Sequence, residues 1–180
     1  MQAAHHAQAK LGGLTILELV TVISIITILV LLLLPSLGHY VSRAEKFKCT
    51  ANLRTLYFGA NNYAQQNGHW PQIDTSLIVK QAPEFARQWI DALQPSGIDQ
   101  ASWICPTTQK LLGNPDLHNS QNVRLDYIPM PFDSKQFTPY RWSRQPWFIE
   151  RAAVHGSGNL IIFTDGSISD ANDIISKIAH

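Results

Sequence analysis

The sequence predicts an α+β fold in which a long N-terminal helix packs on a small C-terminal antiparallel β-sheet. Three observations favour it: an apolar run continues into a polar segment with helical periodicity, the strongest strand signal lies near the C-terminus, and a turn dipeptide follows that strand. A helical region that precedes a strand-containing region is typical of the α+β class.

The 180 residues have an uneven composition. Charged residues make up 15% of the chain, against about 25% in an average soluble domain. Hydrophobic residues reach 45%, yet the mean hydropathy is only −0.07, so the apolar residues must be concentrated in one part of the chain. A net charge of +1 argues against a nucleic-acid-wrapping protein and against a polybasic membrane binder. Two cysteines allow one disulfide but exclude a four-thiolate zinc site.

The first element is the apolar run LTILELVTVISIITILVLLLL, which extends from Leu14 to Leu34. As a helix rising about 1.5 Å per residue, it would span about 31 Å, the thickness of a hydrocarbon core. The run therefore predicts a membrane-spanning helix. A cleaved secretory signal is the alternative, but the run exceeds the usual apolar length of about 7–15 residues and no Ala-x-Ala site follows it.

Glu18 is the single charged residue of this run. An ionised carboxylate at membrane depth costs several kcal/mol unless it is paired, so Glu18 is a candidate functional residue. The alternative is that Glu18 lies near the helix end and extends to the interface.

The residues around Glu18 form a recognisable motif. Lys10-Leu11-Gly12-Gly13 precedes the apolar run and Pro35 closes it. This resembles the N-terminus of type IV prepilins and type II secretion pseudopilins. The resemblance implies that prepilin peptidase cleaves after Gly13 and N-methylates Leu14, although Phe or Met is commoner than Leu there. It also implies that Glu18 and Pro35 serve filament assembly as the family's glutamate and helix-kinking proline.

The resemblance divides the chain into a leader (1–13), a transmembrane helix (14–35), an amphipathic helical spine (36–68) and a globular head (69–180). It implies a non-enzymatic filament subunit, single-pass in the bacterial inner membrane, with a cytoplasmic leader and a periplasmic head. The implied partners are other pilin or pseudopilin subunits, prepilin peptidase, the inner-membrane assembly platform and membrane lipid. The alternative is a single-span, signal-anchored periplasmic protein with a binding or enzymatic head.

The basic residues on either side of the apolar run predict the opposite orientation, with the C-terminal side of the run in the cytoplasm. The positive-inside rule places the side with more Lys and Arg in the cytoplasm. Lys10 precedes the run, whereas Arg43, Lys46, Lys48 and Arg54 follow it. The topology implied by the resemblance takes precedence, because dedicated machinery processes the leader.

The helix is predicted to continue beyond Pro35 to Asn67. An apolar stripe recurs at steps of four and three residues, formed by Cys49, Leu53, Leu56, Ala60 and Tyr63. Asn67-Gly68, with Pro71 just beyond, is a helix stop. Within the helix, Pro35 removes one backbone donor and is expected to kink or locally melt it, with termination of the span as the alternative.

The head contains all five tryptophans. Residues 83–93 predict a short helix, and residues 94–148 predict loops with short strands because they are rich in Pro, Asn, Asp and Gln. Leu160 to Thr164 is the best strand, and Asp165-Gly166 predicts a hairpin turn after it.

His155 precedes Asp165-Gly166 by nine intervening residues. This spacing resembles the C-terminal motif of the prepilin-type H-X9-DG proteins. Cys49 ahead of Asn52-Leu53-Arg54, and Trp103-Ile104-Cys105-Pro106, match the same family. A His155–Asp165 catalytic dyad is not predicted, because the strand between them alone advances roughly 16 Å. We expect Asp165 to form the turn and His155 to be a loop or packing residue.

Three further features have competing interpretations. Cys49 and Cys105 are a candidate disulfide, with two separate thiols as the alternative. Asp165, Asp170 and Asp173 are weak calcium candidates, but their spacing is not that of an EF-hand, so no metal or other cofactor is predicted. The segment from Tyr140 to Phe148 interleaves bases with aromatic residues. Such a segment can stack single-stranded nucleic acid, but the near-neutral net charge favours a loop with cation–π packing.

Overall fold

The computed structural model describes residues 15–117, 119, 122–156 and 158–178, and it leaves the side chains of residues 33–40 undescribed. The predicted leader, including Gly13, and Leu14 therefore lie outside the described residues. The chain divides into two compact units, residues 1–41 and residues 42–180.

The N-terminal helix α1 covers Ile16–Asn67, which is 52 residues. At its start the Glu18 amide donates to Thr15 Oγ1 at 3.2 Å. At its end the predicted stop is confirmed: Gly68 has φ +74°, and its amide donates to the Ala64 carbonyl at 2.9 Å. The helix continues through Pro35, so the expected local melting is wrong. A kink at Pro35, and the end of the membrane span there, stay predictions. The loss of one backbone donor leaves the neighbouring helical hydrogen bonds able to hold the turn.

In the first unit, every described side chain of residues 15–32 is exposed. The described part of the chain contains no helix that is long and apolar enough to cross a membrane. Of the predicted span from Leu14 to Leu34, Leu14 is not described, and neither are the side chains of Leu33 and Leu34.

The described residues of the second unit form four further helices and one sheet. The helices are α2 (Leu77–Lys80), α3 (Ala82–Leu93), α4 (Pro106–Leu111) and α5 (Ala171–Ile178), and 3-10 turns cover Gln94–Ser96, Gln100–Trp103 and Thr138–Tyr140. Helix α3 confirms the helix predicted over residues 83–93. The strands are β1 (Tyr127–Pro129), β2 (Pro146–Glu150), β3 (Leu160–Phe163) and β4 (Ile168–Asp170).

The four strands form an antiparallel sheet in the order β1-β2-β3-β4. Strand β3 and the turn into β4 confirm the predicted strand and hairpin, and the α+β class is confirmed with them. Strand β2 fits the short strands predicted within residues 94–148. It corrects only the interpretation of the segment from Tyr140 to Phe148 as a loop, because Pro146 to Phe148 belong to this strand. Pro146 is the first residue of β2, a position at which a strand tolerates proline.

The core of the second unit lies between α1 and the sheet. The predicted apolar stripe on α1 is confirmed, since Cys49, Leu53, Leu56 and Ala60 are fully buried and Tyr63 packs against them. Facing the stripe are aromatic rings, with the centroids of Trp70 and Trp147 only 4.9 Å apart. Four of the five tryptophans are buried. Aromatic burial of this kind contributes most of the packing energy of a small core.

Gly59 lets α1 approach the segment after α3 closely. A Cβ at this position would lie 2.2 Å from Ile98 Cγ1, and Ile98 is itself buried. Gly59→Leu is therefore expected to lower the free energy of unfolding by about 3 kcal/mol through overpacking. Denaturant titration of the full chain in detergent, followed by tryptophan fluorescence, measures the loss. Gln65→Ala, at an exposed position of the same helix, is the control, and equal stability of the two variants would contradict the close packing.

Candidate functional site

A buried polar cluster joins α1 to the sheet and to the segment before α4. We call it the thiol cluster, and its members are Cys49, Cys105, Glu150 and His155. One potential ligand atom from each residue lies within 4.8 Å of the others. The side chains of Glu150 and His155 are 1% and 2% exposed, and both cysteines are fully buried. A cluster of four metal-ligating side chains in a small core is unusual, because buried polar groups must find partners.

Four separate elements supply the cluster. Cys49 lies on the buried stripe of α1, and Cys105 directly precedes α4. Glu150 is the last residue of β2, and His155 lies in the turn that follows this strand. The contact between Cys49 and Cys105 bridges 56 positions of the sequence, and that between Cys105 and His155 bridges 50. The cluster is therefore a product of the tertiary fold.

The two cysteines are free thiols whose sulfur atoms lie 2.7 Å apart. The structure thus brings the candidate disulfide partners together, and their covalent pairing stays a prediction. The hydrogen bond from the Cys49 thiol lowers the pKa of Cys105 to about 6. The same bond, together with burial, raises the pKa of Cys49. One of the two sulfurs is accordingly favoured as a thiolate, which is the form that binds metals.

Glu150 is the acidic member of the cluster. Burial, followed by the nearby Cys105, raises the pKa of Glu150 to about 7. Its Oε2 atom accepts the Leu160 amide at 3.3 Å. Its Oε1 atom lies 3.2 Å from His155 Nε2, yet it has no hydrogen-bond partner with good geometry among the described residues. Oε1 is therefore a buried acceptor that points into the cluster without a satisfied bond.

Polar groups around the cluster orient the two sulfurs. The Tyr127 hydroxyl hydrogen-bonds to the Cys49 sulfur, and Asn52 Nδ2 lies 3.5 Å from the same hydroxyl oxygen. The Thr108 amide and hydroxyl both donate to Cys105. These groups favour negative charge on sulfur, because hydrogen bonds to a charged group stabilise it.

Asp126 holds the segment that carries Cys105. Its Oδ2 atom accepts the Cys105 amide at 2.9 Å, and its Oδ1 atom accepts Arg124 Nε at 3.0 Å. Asp126 is 2% exposed, and its own amide donates to the Trp103 carbonyl at 2.9 Å. This buried ion pair positions Cys105 beside the start of β1.

The residues of the H-X9-DG motif make separate contacts in the structure. Asp165 forms the turn after β3, as predicted, and its Oδ1 atom accepts the Ser167 amide at 2.9 Å. Gly166 follows with φ +75°, a left-handed conformation that glycine adopts without strain. His155 instead contacts Glu150 and Cys105. The expectation of a loop or packing position for His155 was therefore incomplete.

The three weak calcium candidates are not gathered into one site. Asp170 forms an ion pair with Lys46 at 3.1 Å, whereas Asp165 binds Ser167. Within the described ranges, the only group of three or more potential ligand side chains is the thiol cluster. Asp165, Asp170 and Asp173 do not belong to it.

The segment from Tyr140 to Phe148 splits into two parts. Before β2, the Arg141 guanidinium lies 4.8 Å from the Trp142 ring centroid, and the Arg144 guanidinium lies 4.8 Å from that of Phe163. Within β2, Trp147 and Phe148 are fully buried. The two cation–π contacts agree with the simpler interpretation, whereas the burial of Trp147 and Phe148 in a strand was not predicted. The two buried rings present no surface for base stacking.

Residues predicted to serve processing and assembly are described only in part. Gly13 and Leu14 lie outside the described residues, and Pro35 lies within α1 without a described side chain. Glu18 occupies the first turn of α1 and is exposed. No described residue forms an ion pair or hydrogen bond with its carboxylate.

Sequence reasoning missed Glu150 and the convergence of His155 with both cysteines. The signal was a charged residue at the end of the apolar run Trp147-Phe148-Ile149, together with two cysteines and a motif histidine. Considered together, these residue types suggest metal ligation, whereas considered singly they suggest a disulfide and a packing residue.

The fold and the cluster define an α+β protein whose long N-terminal helix is tied to a four-stranded sheet through buried thiol, imidazole and carboxylate groups. No protein-family model matches the sequence, and no curated protein or solved structure does.

Proposed function

We propose that this chain is a structural subunit, a pseudopilin or prepilin, of a type II secretion or type IV pilus-like filament. The observation that supports this best is the double character of α1. From Ile16 to Leu32 its side chains are mostly apolar and all exposed, whereas from Cys49 onward its apolar stripe is buried under the head. A single helix of this kind can serve first as a membrane anchor and then as the core of a filament.

The hydroxyl groups of the exposed segment suit an apolar environment. Thr21 Oγ1 donates to the Glu18 carbonyl at 2.9 Å, Ser24 Oγ donates to the Val20 carbonyl at 2.8 Å, and Thr27 Oγ1 donates to the Ile23 carbonyl at 2.8 Å. Each hydroxyl donor is therefore satisfied within the helix. Lipid or a neighbouring copy of α1 can pack against this surface without leaving these donors unpaired.

Glu18 is the one charged group that such an environment leaves unpaired. Cleavage after Gly13 would create a positively charged amine at Leu14, four residues from Glu18. The amine of a neighbouring subunit can neutralise the carboxylate, and the low dielectric strengthens this attraction. The pairing would set the axial register between subunits. Cleavage after Gly13, the new amine of Leu14 and the Glu18 carboxylate would therefore all serve filament assembly.

The proposal places the protein in the bacterial inner membrane before assembly, with the leader in the cytoplasm and the head in the periplasm. Its partners are then prepilin peptidase, the inner-membrane assembly platform, membrane lipid and other pilin-like subunits. Pro35 would let the helix adapt as it leaves the membrane. The head would provide the filament surface and would have no catalytic role.

Crosslinking between subunits tests this function. The full chain with a photoreactive residue in place of Ile23 is produced in a bacterium that has a prepilin peptidase and an assembly platform. We expect a ladder of multimers in the membrane and filament fractions, because Ile23 lies on the exposed apolar segment. The same variant in a strain without the peptidase is the control and should give no ladder. Monomers alone in both strains would favour the single-span, signal-anchored protein with a binding or enzymatic head.

A further inference from the structure

We propose that the thiol cluster binds one zinc ion, which ties α1 to the sheet. This inference goes beyond the filament function and does not depend on it, because all four cluster residues belong to the unit of residues 42–180.

The donor atoms match the preference of zinc. Zinc in structural sites takes four ligands from thiolate sulfur, imidazole nitrogen and carboxylate oxygen. The thiol cluster offers two sulfurs, one imidazole nitrogen and one carboxylate oxygen within 4.8 Å of one another. Calcium and magnesium require mostly oxygen ligands, so two sulfurs exclude them as the preferred ion.

The separations between donors approach the edges of a zinc tetrahedron. Bond lengths to zinc imply about 3.5 Å between a sulfur and a nitrogen ligand, about 3.3 Å between nitrogen and oxygen, and about 3.8 Å between two sulfurs. Cys105 Sγ lies 3.7 Å from His155 Nε2, and that nitrogen lies 3.2 Å from Glu150 Oε1. The sulfurs, 2.7 Å apart, would have to separate by about 1 Å to admit the ion.

Polar groups outside the cluster form hydrogen bonds to three of the proposed ligand side chains. Ligating side chains are usually oriented by hydrogen bonds to their remaining polar atoms. Glu150 Oε2 already accepts the Leu160 amide, which leaves Oε1 as the free ligand atom. The Tyr127 hydroxyl and Thr108 donors bond to Cys49 and Cys105. These donors also disperse the excess negative charge that two thiolates and a carboxylate would bring to zinc.

A disulfide explains only half of the cluster. It would join Cys49 to Cys105 but would leave Glu150 Oε1 with only its 3.2 Å ion-pair contact to His155 Nε2, which lacks good hydrogen-bond geometry. A buried acceptor without a well-formed hydrogen bond destabilises the fold. A zinc ion bonds to this oxygen, to His155 Nε2 and to both sulfurs, so it gives all four side chains a partner. For this reason the geometry favours metal over disulfide.

The proposed site is structural. Four protein ligands complete the zinc coordination and leave no position for a substrate or water. Cys49 comes from α1 and Cys105 from the segment before α4, while Glu150 ends β2 and His155 lies in the turn after it. Zinc would therefore crosslink elements that are far apart in the sequence.

Metal content and cobalt spectroscopy test the site. The full chain is purified in detergent with reductant and without chelator, and zinc is counted by elemental mass spectrometry. We expect one zinc ion per chain. After removal of zinc, added Co²⁺ should give the d–d absorption of a tetrahedral site and a thiolate-to-cobalt charge-transfer band. His155→Ala should weaken zinc binding by about 100-fold or more, as measured by competition with a chromophoric chelator.

Two variants separate ligation from general structural damage. Tyr127→Phe keeps the ring in the core but removes the hydroxyl at Cys49, and we expect about 10-fold weaker zinc binding. Asp165→Asn changes the family motif outside the cluster and should bind zinc like the unmodified chain. Near-ultraviolet circular dichroism of the buried tryptophans verifies the fold of each variant.

Two results would overturn the proposal. One is a folded, unmodified chain with two titratable thiols that takes up neither zinc nor cobalt. The other is a Cys49–Cys105 disulfide that, once reduced, still gives no metal binding. A disulfide that forms under oxidising conditions, and whose reduction restores stoichiometric zinc binding, would support the site.

Discussion

Glu18→Gln is expected to leave cleavage of the precursor intact and to abolish its assembly into filaments. The carboxylate lies in the first turn of α1, exposed on an apolar helix. Glutamine keeps the size and the hydrogen-bonding capacity of the side chain but removes its charge. The α-amine of Leu14 in the neighbouring subunit would then be buried without a counter-ion, at a cost of about 3 kcal/mol in a membrane environment.

Such a cost is large for an assembly reaction. A change of about 3 kcal/mol lowers each association constant roughly 100-fold, and a filament requires many such steps. Crosslinking through the photoreactive residue at position 23 measures the loss of multimers, and gel mobility measures processing. Thr21→Val is the matched control, because the Thr21 hydroxyl bonds only to the carbonyl of its own helix. A normal ladder of multimers from Glu18→Gln would show that the carboxylate has no role in assembly.

The second large effect is expected for Asp126→Ala, which should lower the free energy of unfolding by about 3–5 kcal/mol. Asp126 is the buried acceptor for both Arg124 Nε and the Cys105 amide. Alanine would leave the Arg124 side chain, which is 15% exposed, without its counter-ion. It would also leave the Cys105 amide without an acceptor, and so loosen the segment that presents this cysteine to the thiol cluster.

Denaturant titration of the full chain in detergent, with tryptophan fluorescence as the signal, checks this expectation. Asp126→Asn keeps one acceptor oxygen and should lose about half as much stability, since one of the two donors stays satisfied. Asp91→Ala, at an exposed position on α3, is the control and should change stability by less than about 0.5 kcal/mol. If Asp126→Ala were as stable as this control, the buried ion pair would not hold the segment.

Long, periodic features of the fold were predictable from the sequence. The apolar stripe of α1 repeats over several turns, and Gly68 marks its end by a left-handed conformation. Strand β3 is an uninterrupted apolar run followed by a turn dipeptide. By contrast, β4 has three residues, too few to establish a period of two. Strand β2 begins at a proline directly after a basic segment, and its position depends on pairing with β1 and β3.

The thiol cluster could be predicted only in pieces. Cys49 and Cys105 were natural partners because the chain contains no other cysteine. Glu150 and His155 carried weaker signals, a charge at the end of an apolar run and a histidine in a family motif. At a strand end and in a turn, both residue types are ordinarily exposed. Their burial results from the pairing of β2 with its neighbours and from the approach of α1. Such long-range convergence has no local sequence pattern.

The mass of the mature N-terminus tests the central proposal most directly. The full chain is produced in a bacterium with a prepilin peptidase, extracted from its membranes, and characterised by intact-mass and N-terminal peptide mass spectrometry. A filament subunit of this kind should begin at Leu14 with a methylated α-amine, because cleavage follows Gly13. A chain that retains Met1 would contradict the proposed function. So would one cut near Gly38, where Ser36-Leu37-Gly38 is a small-x-small substitute for a signal-peptide cleavage site.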